Sequence, residues 1–133
     1  MEYLVGIAIA VVVAAMGSLA GLDRERGYYS VVLIVIATYY ILFAAQAAAW
    51  NAAIAESLPM AMFTVLAILG FKLNPWYIVG GLAAHGIFDA MHATIISNPG
   101  VPAWWPGFCL AFDLGAAIYL AFLLRTRNSN HTA

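Results

Sequence analysis

The sequence predicts an all-α fold: an integral membrane bundle of five transmembrane helices, N-terminus outside and C-terminus inside. Three observations predict it. Of the 133 residues, 65% are hydrophobic and 8% charged, against roughly 45 to 50% and 25% in soluble domains. The apolar residues fall into five runs, each near the roughly 20 residues that a hydrocarbon core about 30 Å thick requires. Lys and Arg recur only in alternate connections, as expected of cytoplasmic loops.

The first span reads as Glu2 to Ala20. Glu2 stands where a secretory signal carries Lys or Arg, and the run from Tyr3 to Ala20 is long enough to cross, so a retained helix is expected. Gly21 to Gly27 is turn chemistry with two arginines. The second span is Ser30 to Trp50 and the third Asn51 to Phe71. Their joint is the least marked, because Ala47 to Ala55 holds neither Gly nor Pro, and Trp50-Asn51 is its best turn. Pro59 then lies near the start of the third helix, where a missing amide donor costs least. Lys72-Leu73-Asn74-Pro75 leads into the fourth span, Pro75 to Ser97, and Ser97 to Pro102 into the fifth, Trp104 to Leu124. The whole makes one transmembrane domain, 1–127, with a disordered tail expected over 128–133.

Charge supports this count. Arg24 and Arg26, Lys72, and Arg125 and Arg127 fall on one side, while Trp50-Asn51 and the loop from Ser97 to Ala103 carry no cation. Tyr28, Tyr29, Trp76 and Tyr77 mark the inner interface, and Trp50, Trp104 and Trp105 the outer one. A bacterial inner membrane is the expected location. On the inner side the sequon at Asn130-His131-Thr132 goes unmodified. A net charge of −1 argues against a nucleic-acid partner. Cys109, the single cysteine, has no internal disulfide partner and reads as packing.

Against this background, the ionisable residues inside the spans carry the functional signal. His85, Asp89 and His92 share roughly a 60° arc of one helix face. Glu56 on the preceding span and Asp113 on the following one lie at similar depth, in the outer half of the bilayer, with His85 near the midplane. Intramembrane ionisable groups are costly enough to be read as functional. Gln46, Asn51, Ser57 and Thr64 need do no more than join helices.

Metal coordination accounts most sharply for this set, since imidazole and carboxylate are ordinary ligands of zinc, iron or manganese. His85 and His92 stand about 10.5 Å apart along the axis, too far for one ion. An acid followed three residues later by His is half of the motif that carboxylate di-metal bundles use. The preferred expectation is therefore one divalent metal, zinc or iron, held by Asp89, His92, Glu56 and Asp113. His85, and Glu56 in a second capacity, are the candidates for general acid-base work. The reaction would be that of a metal-dependent membrane hydrolase or oxidoreductase acting on a lipid or other apolar substrate. A proton relay or proton-coupled carrier using the same residues is the alternative, and a structural subunit with a hydrogen-bonded network is the third. Gly80, Gly81 and Gly86 allow close helix approach. Gly107, Ala111 and Gly115 form a small-residue ridge for another helix, from this chain or from a second copy in a homo-oligomer.

Two stretches also carry a resemblance. His85-Gly86-Ile87-Phe88-Asp89-Ala90-Met91-His92 and Trp104-Trp105-Pro106-Gly107-Phe108-Cys109-Leu110-Ala111-Phe112-Asp113 resemble a group of small bacterial multi-pass membrane proteins of unassigned function. That resemblance implies that the His/Asp and Cys/Asp positions belong to one site. The chain is also faintly similar to transmembrane ceramidase-type zinc hydrolases, whose site combines three His with Asp and Ser. That likeness implies a carboxylate in place of the third His.

Overall fold

The computed structural model describes residues 1–131. It is a helical bundle in the order α1 (Glu2–Leu19), a 3₁₀ turn (Leu22–Arg24), α2 (Gly27–Gln46), α3 (Trp50–Lys72), α4 (Trp76–Ile95) and α5 (Trp105–His131). All five helices are long and apolar enough to cross a membrane. Mean hydropathy is 1.2 for α4 and 1.9 to 2.0 for the others, because α4 sets His85, Asp89 and His92 within its apolar run. The tail expected from Asn128 falls on the last turn of α5 and on 132–133, which lie outside the described residues.

The joint between α2 and α3 is one turn earlier than the sequence suggests. Trp50 opens α3, and the chain reverses over Ala47 to Ala49. Ala48 takes φ +52°. Its N–H donates to Ala45 O at 3.0 Å, and the N–H of Ala49 to Ala44 O at 2.8 Å. This is a Schellman closure with alanine where glycine is usual, so no sequence signal marks it. Its left-handed residue costs about 1 to 2 kcal/mol. Pro59 removes one amide donor from α3, which continues as helix to Lys72.

α5 packs on α1 and α4, α2 packs on α3, and α4 also meets α3. Leu33, Ile36, Phe63, Ile78, Leu82 and Phe112 form the centre of the apolar core. α1 presents Gly6, Ala10, Ala14 and Gly17 as its buried stripe. A methyl group at Gly6 would strike Phe108 O and stand 3.0 Å from Ala111 Cβ, and one at Gly115 would stand 3.1 Å from Ala10 Cβ. The Gly107/Ala111/Gly115 ridge therefore faces α1 of the same chain. Small residues let the two backbones approach closely, which is how apolar helices gain dispersion energy where the hydrophobic effect cannot drive them together.

At one end of the bundle Arg127 donates to Asp23 O at 2.9 Å and lies 3.4 Å from Asp23 Oδ1. Ser18 donates to Asp23 Oδ2 at 2.6 Å. This clamp joins the end of α5 to the α1–α2 connection. Gly70 against Ile78, and Gly27 against Phe71, bring the adjoining ends of α2, α3 and α4 together, so all five Lys and Arg residues belong to the same end.

Candidate functional site

Helix geometry first puts His85, Asp89 and His92 on the buried stripe of α4. Glu56 from α3 and Asp113 from α5 are equally buried. Gly86 is what lets α5 reach the stripe: a Cβ there would stand 3.3 Å from Asp113 Cβ and 3.4 Å from Leu110 O. With no side chain in the way, His85 Nδ1 meets Asp113 Oδ2 at 2.7 Å and Asp89 Oδ2 at 3.1 Å. Two carboxylates thus converge on one ring nitrogen. Asp89 is held from its other side by Tyr40 of α2, whose hydroxyl donates to Oδ1 at 2.6 Å. Ligand atoms of His85, Asp89 and Asp113 lie within 4.8 Å of one another, close enough to hold a metal ion.

His92 and Glu56 form a second unit. His92 Nε2 lies 2.7 Å from Glu56 Oε1. Asn98, just beyond α4, donates to the same oxygen at 3.0 Å and to Tyr40 O at 2.9 Å. Its own Oδ1 accepts from the N–H of Gly100 at 3.1 Å. Gly100 must be small, because a Cβ would strike Phe43 O. The Tyr40 ring lies flat on the His92 imidazole, with centroids 3.9 Å apart and planes 11° apart. Tyr40 therefore touches both units.

The five residues singled out from the sequence are thus all buried, but grouped differently from the expected ligand set. Asp89 and Asp113 converge, as expected, yet the nitrogen between them belongs to His85. Glu56 and His92 pair with each other. It is His85 rather than His92 that stands beside Asp89 and Asp113, because Asp89 lies one turn from His85 and turns toward it, while Tyr40 fills the space beside His92. Sequence reasoning missed Tyr40 and Asn98. Tyr40 carried a signal, being a tyrosine well inside a span and away from the interfacial belts where tyrosine is common. Asn98 did not, since Asn before Pro-Gly reads as turn chemistry. Asn51 and Gln46 are exposed, and Cys109 is buried as a free thiol.

Three buried carboxylate oxygens, Asp89 Oδ2, Asp113 Oδ1 and Glu56 Oε2, have no hydrogen-bond partner among the described residues. Such atoms are rare in native proteins, and an ion is one of their ordinary explanations. The fold and these side chains define a class: a bundle of five apolar helices enclosing a buried His/Asp/Asp cluster and a neighbouring His/Glu pair. No family model, no curated protein and no solved structure matches this chain, so functional inference rests on the geometry.

Proposed function

We propose that this chain is an integral membrane protein that binds one divalent metal ion, zinc or iron, between His85, Asp89 and Asp113. We further propose that it is a metal-dependent enzyme whose apolar substrate comes from the lipid phase. One observation carries the metal assignment: two buried carboxylates face a single imidazole nitrogen, and each keeps an oxygen without a hydrogen bond. Charge bears on what satisfies them. Two ionised aspartates and a protonated His85 leave a net charge of −1, whereas a dication with neutral His85 leaves none. An unbalanced charge at bilayer depth costs about 2.5 to 3.5 kcal/mol or more. The His92–Glu56 pair is neutral overall whether or not its proton is transferred, so it needs no ion.

A mixed imidazole and carboxylate donor set suits zinc or iron. Three protein ligands leave a position open, as in catalytic sites, where the ion supplies Lewis acidity and lowers the pKa of a bound water. The remaining residues orient and move protons. Tyr40 fixes the rotamer of Asp89 through its hydroxyl. Asn98 fixes Glu56, which in turn holds His92 Nε2. His92 becomes the candidate acid-base residue.

The competing reading is a proton relay. It is favoured by the 2.7 Å separation of His85 and Asp113, a hydrogen-bond distance, and by the Tyr40 hydroxyl 2.6 Å from Asp89 Oδ1. Elemental analysis of protein purified without chelators separates the two. The metal reading expects about one zinc or iron per chain. His85→Ala and Asp113→Asn should each lower metal affinity at least about 10-fold, while His92→Ala leaves it unchanged. A folded wild type that holds no metal and takes up neither zinc nor iron transfers the assignment to the relay.

A further inference from the structure

We infer that the cleft between α1 and α2 binds an anionic phospholipid, with an acyl chain along the cleft and its phosphate at Arg24 and Arg26. Although consecutive in sequence, α1 and α2 meet only where Tyr28 packs on Gly17 and donates to Val13 O, and beyond it they part, because α1 packs on α5 and α2 on α3. The space between them is a cleft of about 870 Å³, walled by Ile9, Val13, Val32 and Ile36 and floored by Phe108 and Phe112 of α5. Its lining runs along α2 from Gly27 to Tyr39, about 18 Å at 1.5 Å per residue. The lining also reaches Val5 of α1 and Trp104 and Trp105, so the cleft has room for the full length of an acyl chain, about 15 Å or half of a hydrocarbon core.

Neither water nor another helix suits this cleft. Its walls are almost wholly apolar, and a docking helix would seek small residues that let backbones approach. Here the small-residue stripe on α1 is already covered, Gly6 and Ala10 by α5 and Gly17 by Tyr28. A flexible hydrocarbon chain fills the irregular space between branched and aromatic side chains.

One mouth of the cleft sets the head group. Leu22, Glu25 and Gly27 line it, and the exposed Arg24 and Arg26 flank them in the chain. Neither arginine forms an ion pair among the described residues, whereas Arg127 nearby is engaged by Asp23. With Glu25 counted, Arg24 to Arg26 carries a net charge of +1, and Asp23 beside it is taken up by Arg127. Two exposed guanidinium groups, one on either side of Glu25 at the mouth, complement a phosphate at the end of an acyl chain, and the fork geometry of Arg suits phosphate oxygens. This site does not depend on the metal assignment.

The test is native mass spectrometry of delipidated protein titrated with phosphatidylglycerol or phosphatidylcholine, with metal content measured on the same samples. One phosphatidylglycerol should bind per chain in preference to phosphatidylcholine. Arg24→Gln and Arg26→Gln should each lower that affinity about fivefold. Val35→Trp, at a half-exposed cleft position, should abolish binding, and Ile118→Trp, on an exposed face outside the cleft, should leave it unchanged. None of the four should alter metal content. Equal binding of the two lipids, equal effects of Val35→Trp and Ile118→Trp, or occupancy by a second copy that Val35→Trp dissociates would each overturn the proposal.

Discussion

Replacing Tyr40 by Phe isolates the contact between the two buried units, because it deletes one hydroxyl and keeps the ring. The hydroxyl donates to Asp89 Oδ1 at 2.6 Å, and the ring lies against His92 at 3.9 Å. The magnitude depends on the charge of Asp89. A hydrogen bond between neutral groups on membrane helices is worth about 0.6 kcal/mol on average, whereas one to a charged group is worth about 1.5 to 3 kcal/mol. If Asp89 is an ionised metal ligand, Tyr40→Phe should cost stability in the upper range and weaken metal binding about 10- to 100-fold, as losses of groups that orient a ligand commonly do. Equilibrium unfolding in mild detergent and zinc titration with a competing chelator measure the two effects on one preparation. Tyr40→Leu provides the comparison, since it also removes the stack on His92. A loss of stability near 0.6 kcal/mol with metal affinity unchanged would mean that Asp89 is neutral and binds no ion, which refutes the charge argument for the metal.

Further outcomes follow from the same geometry. Gly86→Val should force α4 and α5 apart against Asp113 Cβ and Leu110 O, costing about 1 to 3 kcal/mol of stability. Metal content should fall with it, and an unchanged metal stoichiometry would show that His85 and Asp113 need no such approach. Asn98→Leu should free Glu56 and the Tyr40 carbonyl from their shared donor and raise the reactivity of His92 toward diethyl pyrocarbonate; unchanged labelling would contradict it. Reporter fusions at Ala133 and within the loop from Ser97 to Ala103 should report opposite sides of the membrane, with the C-terminus inside. Fusions reporting one common side would remove an odd number of spans between the two points.

Much of the architecture was legible because single-helix physics governs it. Length and hydropathy specify the spans, and turn residues marked three of the four joints. The fourth escaped because Ala48 adopts a conformation that the sequence usually reserves for Gly. The burial of His85, Asp89 and His92 on one stripe followed from 3.6-residue periodicity. The Gly107/Ala111/Gly115 ridge was legible as a helix-packing surface, but not its occupant, which the structure shows to be α1 of the same chain.

The grouping of the ionisable residues was not legible, because angle and depth along one helix do not determine which neighbour lies across the gap. Axial depth placed Glu56, His92, Asp89 and Asp113 together, and by depth alone a four-ligand site is reasonable. Lateral packing divides them. α3 brings Glu56 to one side of the α4 stripe, where it reaches His92, and α5 brings Asp113 to the other, where Gly86 opens the way to His85. Tyr40 of α2 stands between, bonded to Asp89 and stacked on His92. That side chain touches both units, so the His85/Asp89/Asp113 cluster and the His92–Glu56 pair are neighbours without being one group. That arrangement ties the buried polar stripe of α4 to an aromatic residue on a helix that carries no carboxylate or histidine of its own.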